Sequence, residues 1–330
     1  MLYELIKPYT SVSTIGMCKN AGKTTALNRL IAECAAENET AALTSVGRDG
    51  ERSDVVTGTK KPEIFVYDGT LIATAAAALD LGDISREIVE TTGMPTPMGE
   101  VIIARARSDG YVQLAGPSMT AQIKRLNAEF VARGARRILI DGALSRKSLA
   151  IPSVSDAAIL STGASYSRDM KKTVEDTAHA IRLMSLEKTG FDRAREASNK
   201  KFTLYSRDET SGFDSAKDAA ERVRDGGIRA VRMLGGITDA VIEAFFAAGR
   251  ALDEVEFICE DGSRLLFEKK NFDKLLRAGA RLTALERTKI AAVTVNAFSA
   301  YGDDYDAAAF SAAVREATGG SVPVIDVMEG

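Results

Sequence analysis

The sequence predicts an α/β fold: a mainly parallel sheet core with a C-terminal α/β extension. Two observations carry this. Short apolar runs recur along the chain, each followed by a glycine or polar turn and then a stretch with helical spacing. The composition is that of a globular chain, since 45% of the 330 residues are hydrophobic and 27% charged, enough for a sizeable core. The chain shows no internal repeat and no low-complexity tract. Its length suits one large or two ordinary domains. The best division is at the polar, glycine-containing stretch SRDETSGFDSAK (206–217), which separates 1–205 from 206–330. Whether those halves share one continuous sheet is left open by the sequence.

The elements follow in order. Residues 11–15 read as the first strand. Residues 23–36 read as a helix, with Leu27, Leu30 and Ile31 at helical spacing. Strands are expected at 41–45 and 64–67. Residues 101–106 and 111–114 flank the turn Ser108-Asp109-Gly110, which suggests a hairpin with a longer loop. Ser118 is expected to cap a helix running to about Arg133, stopped by Gly134. Strands at 137–141 and 157–160 have the continuous apolar character of buried strands. A long helix is expected over 168–187. Past the polar stretch the rhythm resumes, with strands at 230–234, 254–258, 290–295 and 322–327 and helices at 238–248, 272–278 and 307–318.

Charge and cysteine usage exclude several classes. The net charge is −3, and the basic runs Arg136-Arg137, Lys171-Lys172 and Lys269-Lys270 are short and interleaved with acids. That argues against nucleic-acid binding through bulk electrostatics. Cys18, Cys34 and Cys259 show no spacing pattern, so neither a disulfide framework nor a zinc site is expected, and a reducing, cytoplasmic setting is. His179 lies in the helical run VEDTAHAIRLM and reads as an ordinary helix residue. The start, MLYELIKPYT, lacks the apolar region of a signal peptide. The alanine-rich stretch 71–79 is too short to span a bilayer, so no membrane association is expected.

The most specific motif is IGMCKNAGKTT (15–25). It resembles a phosphate-binding loop, but five residues rather than the common four separate Gly16 from Gly22-Lys23-Thr24. A glycine-rich turn between strand and helix aims backbone N–H groups at a phosphate, and the helix dipole favours the negative charge. The nucleotide-binding set is Gly16, Lys19, Asn20, Ala21, Gly22, Lys23, Thr24 and Thr25. Lys23 would reach the β- and γ-phosphates, Thr24 would place its hydroxyl on Mg²⁺, and Gly22 must be small where backbone and phosphate approach. Lys19 either touches phosphate or faces solvent. Cys18 reads as a small filler rather than a redox group. The fold expectation is therefore a P-loop NTPase core.

Such a loop needs an acid at the end of a neighbouring strand. In RRILIDGALSR, Asp141 follows an apolar strand directly and is the expected metal acid, with Lys23 the second catalytic residue; the bland reading is an Asp-Gly turn. Asp49 and Glu51, in TSVGRDGERSD, are further metal- or water-orienting candidates, with Arg48 beside them as a phosphate contact. Two other stretches are unusual for connecting loops. TTGMPTPMGE (91–100) and RARSDGYVQLAGPSM (105–119, with Arg105, Arg107, Asp109 and Tyr111) would rim a ligand crevice or face a partner. STGASYSRDM (161–170) offers a helix N-terminus for which simple capping is the stronger reading.

The longer loop resembles that of the dethiobiotin synthetase and cobyric acid synthase branch of P-loop proteins. That branch implies a parallel sheet, Mg-ATP as cofactor and often a homodimer. The set MCKNAGKTT, TSVGRDGE, YDGTLIAT, TPMGEVIIARA, SDGYVQLAGPS, DGALSRK and STGASYSRDM, in this order, resembles the P-loop-bearing subunit of the lysine 5,6-aminomutase reactivase. The likeness continues more loosely through TVNAFSAYGDDYD and VPVIDV. It implies an ATP-binding subunit of a factor that releases damaged cobalamin from an adenosylcobalamin-dependent aminomutase of lysine fermentation. The implied partners are that aminomutase and a companion subunit similar to the mismatch-repair ATPase MutS. Two alternatives stand beside it: an ATP-dependent ligase related to dethiobiotin synthetase, and a nucleotide-dependent cofactor chaperone. Thr294-Val295-Asn296 after a late strand hints at base recognition but lacks the Asn-Lys-x-Asp pattern of guanine readers, which favours ATP.

Overall fold

The computed structural model describes residues 1–47, 63–142, 154–196 and 198–328. The chain opens with α1 (Leu2–Ile6), β1 (Ser11–Gly16), α2 (Lys23–Ala36) and β2 (Ala41–Ser45). Next come β3 (Ile64–Val66), β4 (Leu71–Ala75), the short α3 (Ala76–Leu79), β5 (Arg86–Thr96), β6 (Gly99–Ala106) and β7 (Gly110–Val112). They are followed by α4 (Thr120–Ala132), β8 (Arg137–Asp141), β9 (Ala157–Gly163) and α5 (Met170–Met184). The next stretch holds β10 (Phe202–Ser206), β11 (Thr210–Phe213), α6 (Ala216–Arg224), β12 (Ile228–Met233), β13 (Ile237–Thr238), α7 (Asp239–Phe246), β14 (Glu256–Cys259), β15 (Leu265–Leu266), α8 (Lys269–Arg277) and β16 (Arg281–Ala284). Last come β17 (Ile290–Asn296), α9 (Ala307–Ala317) and β18 (Val324–Asp326).

Two compact units result, and their division differs from the sequence expectation of 1–205 and 206–330. One unit comprises Met1–Ala178 together with Lys289–Gly330; the other is His179–Thr288. The reason is a long-range pairing: β17 runs parallel to β9, and β18 parallel to β17, so the final segment returns to the first sheet. The stretch 206–217 is not a linker. It closes the β10–β11 hairpin, in which Phe202 faces Phe213, and then enters α6 through the cap Ser215, whose side chain accepts from the Asp218 N–H.

The larger unit is built on nine strands in the order β18-β17-β9-β1-β8-β2-β4-β6-β5. The pairs from β18 to β4 are parallel, and β6 and β5 add to the far edge in antiparallel sense. An α/β fold with a mostly parallel sheet is therefore what the chain adopts. Every residue of β1 and of β9 is buried, as central parallel strands covered on both faces require. On one face α2 sets Ala26, Leu27, Leu30 and Ile31 against Val12, Leu43, Leu139 and Ile159, and α1 adds Leu2 and Ile6. Each such large side chain contributes about 1.5–3 kcal/mol on burial, which fixes α2 and with it the loop that precedes it.

Two local expectations give way here. Residues 101–106 and 111–114 do not form a hairpin: β6 lies between β4 and β5, while β7 joins β3 in a separate two-stranded sheet. The stretch 91–100 is β structure, its Thr96 hydroxyl donating to the Gly99 carbonyl and accepting from the Met98 N–H to close the β5–β6 turn. Ser118 does not cap α4, which starts at Thr120 without a side-chain cap.

The smaller unit has a five-stranded sheet, β11-β10-β12-β14-β16, in which β12, β14 and β16 are parallel. Its apolar core unites α6, α7 and α8 with one sheet face, around edge-to-face contacts of Phe245 with Phe202 and Phe257. On strand β14 the buried Glu256 accepts from the hydroxyls of Thr189 and Thr283 and pairs with Arg281, so its charge is compensated. No helix among the described residues is long and apolar enough to cross a membrane.

Candidate functional site

Gly16 ends β1 in the middle of the larger sheet, between β8 and β9. The chain beyond it leaves the edge at which the parallel strands end. Its first amide still belongs to the ladder, Met17 N–H donating to the Ser161 carbonyl at 2.9 Å. The loop then reverses through two left-handed residues, Asn20 (φ 58°) and Gly22 (φ 92°). Gly22 is the N-cap of α2 and supplies no side-chain acceptor, although its carbonyl takes the first helical bond from Ala26 at 2.9 Å. The first turn of α2 therefore begins without a side-chain cap. Ala21 is buried under the turn.

Three further observations describe what this turn can hold. A Cβ on Gly16 would lie 3.0 Å from Cγ and Cδ of Lys23 and 3.2 Å from its Nζ, so the lysine folds back across the end of β1. The side-chain Nδ2 of Asn20 is buried without an acceptor among the described residues. Buried polar groups without partners are rare in folded proteins, which sets this amide apart. Lys19 is exposed. Thr24 and Thr25 occupy the first turn of α2, half-buried.

The far side of the turn is closed by the returning C-terminal segment. A Cβ on Gly22 would come within 3.2 Å of Asn296 Cβ, 3.5 Å of Val327 Cγ2 and 3.6 Å of Asn296 Nδ2. A Cβ on Gly163 would meet the Asn296 carbonyl at 2.6 Å. Asn296 ends β17, and its Oδ1 accepts from the Phe298 N–H at 3.1 Å, which holds the amide in place beside the loop. The strand-end position of Asn296 was visible in the sequence; its contact with Gly22 was not, because it depends on β17 pairing with β9 across the inserted unit.

Asp141 sits at the end of β8, opposite Thr14 on one side and Ser45 on the other. Gly142 N–H donates to the Thr14 carbonyl at 3.0 Å, and a Cβ there would lie 2.5 Å from that oxygen, so the glycine permits a close backbone approach. At the next strand end, Ser45 Oγ donates to the Gly47 carbonyl and accepts from the Gly116 N–H, while Gly47 N–H donates to the Pro117 carbonyl. A side chain on Gly116 would overlap the Ser45 carbonyl. Residues 113–117 therefore thread along the ends of β2 and β4, pinned by Thr74 to Gln113 and Ala115. The sequence marked Gly116 only as part of the unusual stretch 105–119, and nothing in it singled out Ser45.

Other candidates are used elsewhere. Arg105 pairs with Leu71, at the beginning of β4, and donates to the Gly69 carbonyl; Arg107 binds Glu87. Both lie toward the edge where the parallel strands begin. Asp109 accepts from the Asp68 N–H, and Tyr111 packs edge-on against Phe65. In 161–170, Ser167 accepts from the Asp169 N–H and Asp169 from the Lys171 N–H, which is capping. His179 sits in α5 with Nε2 at 3.0 Å from the Phe267 carbonyl and its ring edge-on to Phe272. Asp49, Glu51 and Arg48 lie outside the described residues. Among the described residues no three His, Cys, Asp or Glu side chains gather as a metal cage. A cation at this edge would rest on one or two protein oxygens together with those of a bound ligand, the usual arrangement for Mg²⁺.

Comparison with family models, with curated proteins and with solved structures finds no match for this chain.

Cys18 is half-buried in the turn, and burial pushes its thiol up to about 11, with the Lys23 ammonium pulling the other way. A raised value keeps the thiol protonated until the pH approaches it. Alkylation of Cys18 by iodoacetamide at about pH 8 is expected to run roughly 100-fold slower than for an unperturbed thiol and to accelerate steadily above pH 9. A rate at the free-thiol level would contradict a filler role.

Proposed function

We propose that the turn between β1 and α2 binds the phosphates of a nucleotide and that the ligand is Mg-ATP. The observation that carries this reading is the combination at one strand end of a helix N-terminus with no side-chain cap, the Lys23 side chain folded over Gly16, and the buried Asn20 amide without an acceptor among the described residues. Together they form a compact cationic and N–H-rich cradle for a polyanion. Gly16, Asn20, Ala21, Gly22 and Thr25 contribute backbone and shape, Lys19 and Lys23 contribute charge. The Thr24 hydroxyl and the Asp141 carboxylate are the oxygens suited to Mg²⁺, with Asp49 and Glu51 as further acids. The metal would supply charge neutralisation across the phosphate oxygens. Asn296 offers an amide to a base at the far side of the turn, its Oδ1 engaged by Phe298 and its N–H groups left to donate.

At the biological level the reading is the ATP-binding subunit of a reactivating factor for an adenosylcobalamin-dependent lysine 5,6-aminomutase, acting with a MutS-like companion subunit. Its support is the ordered set of motifs from MCKNAGKTT to STGASYSRDM. Nucleotide can open such a target only by binding its open and closed states with different affinity. The ATP-dependent ligase reading is favoured by a different observation. The segment 113–117 forms a wall along the ends of β2 and β4, beside Asp141, where an organic acceptor would lie.

Lys23→Ala is expected to weaken ATP binding by about 1.5–3 kcal/mol, read by titration calorimetry on folded protein. Wild-type affinity in that variant would remove the phosphate-binding reading. The two biological readings differ in what stimulates hydrolysis. An aminomutase carrying inactive cobalamin, offered with the companion subunit, is expected to raise ATP turnover and to regain activity on adding adenosylcobalamin. Stimulation by a small diamine or dicarboxylate alone, with formation of a carboxylated or amidated product, would favour the ligase instead.

A further inference from the structure

Thr14 is fully buried in β1, and its Oγ1 has no hydrogen-bond partner among the described residues. The neighbouring buried hydroxyls of the same sheet are all engaged. Ser13 bonds Ser155, Thr44 the Ala73 carbonyl, Thr162 bonds Thr177, and Thr294 bonds Ser161. A buried hydroxyl without a partner is costly, and valine would fill the same space in a strand at no such cost. The choice of threonine therefore calls for an explanation at this position.

The register suggests one. Thr14 faces Asp141 in β8 and Ile159 in β9. Cross-strand partners leave a sheet on the same face, because side chains alternate along every strand. That face carries Val12, Leu139 and Ile159, and it is covered by Ala26 and Leu27 of α2. Thr14 and Asp141 are thus adjacent on the face beneath the helix that begins with Lys23 and Thr24.

We propose that Thr14 is a positioning residue for the Asp141 carboxylate: its hydroxyl donates to that carboxylate, directly or through one water, when Mg²⁺ and nucleotide phosphate are bound. This rests on the nucleotide reading above. A carboxylate at a metal site gains its precision from the donors behind it, and loss of such a donor typically lowers metal affinity by about 10–100-fold.

The test compares Thr14→Val, which keeps shape and removes the hydroxyl, with Thr14→Ser, which keeps the hydroxyl. Three quantities are measured: melting temperature of the ligand-free protein, ATP affinity without metal, and the Mg²⁺ concentration giving half-maximal tightening of ATP. The valine variant is expected to melt at or above the wild-type temperature and to bind metal-free ATP normally. Its Mg²⁺ requirement is expected to rise on the order of 10-fold, with serine restoring it. Should valine disturb the strand, Thr14→Ala reports the same Mg²⁺ shift. An unchanged Mg²⁺ requirement in the valine or alanine variant overturns the proposal. Equal impairment by valine and serine does so too, since it assigns the effect to packing. A wild-type protein that binds ATP with no Mg²⁺ dependence removes the metal-acid reading itself, and this inference with it.

Discussion

The close approach of Asn296 to two glycines is the constraint on which the site depends. At Gly22 there is room for hydrogen but not comfortably for a methyl group, and at Gly163 a methyl would meet the Asn296 carbonyl at 2.6 Å. The turn of β1–α2, the end of β9 and the end of β17 are therefore packed at a spacing that glycine suits at both positions. A side chain at Gly22 would also have to adopt a left-handed backbone, φ 92°, which costs L-residues roughly 1–2 kcal/mol. Local conformation and tertiary packing select the same residue.

The same device recurs along this edge of the sheet. Gly142 lets β8 continue against the Thr14 carbonyl, and Gly116 lets residues 113–117 cross the end of β2. Backbone amides and carbonyls at the strand ends are thereby paired with each other or with short hydroxyl side chains. Among the described residues, the buried side-chain atoms at this edge without an internal partner are the Asn20 amide nitrogen in the turn and the Thr14 hydroxyl in β1. Those two atoms lie on the path from strand to helix, where a polyphosphate and its cation would be held. The rest of the fold is ordinary close packing; α2 is fixed by Leu27, Leu30 and Ile31.

Much of this was legible in the sequence because its cause is local. Leu27, Leu30 and Ile31 mark a helical stripe, and the continuous apolar runs at β1, β2, β8 and β9 mark strands buried on both faces. The turn announces itself through Gly16, Gly22 and Lys23. What was not legible depends on distant partners. β5 hides its alternation because its register shifts between Ile88 and Glu90 and again between Thr91 and Pro95. The two units could not be delimited because the larger one is discontinuous, and nothing near Lys289 signals that β17 will pair with β9. Arg105 and Arg107 read as the rim of a ligand crevice or a partner-facing surface; the pairing of β6 with β4 puts Arg105, with Arg107 just beyond it, at the edge away from the turn. Asp141 and Asn296 were both nominated by local motifs, whereas the approach of Asn296 to Gly22 follows only from the sheet order.

Amide hydrogen exchange with and without Mg-ATP tests the central claim most directly, since it reads the turn and the returning strand at once. The account predicts slowed exchange in two separate stretches, 17–25 and 294–298, because ligand would occupy the amides of the turn while stiffening the strand end locked against it. Protection confined to other segments, with exchange at 17–25 unchanged at saturating nucleotide, would contradict it.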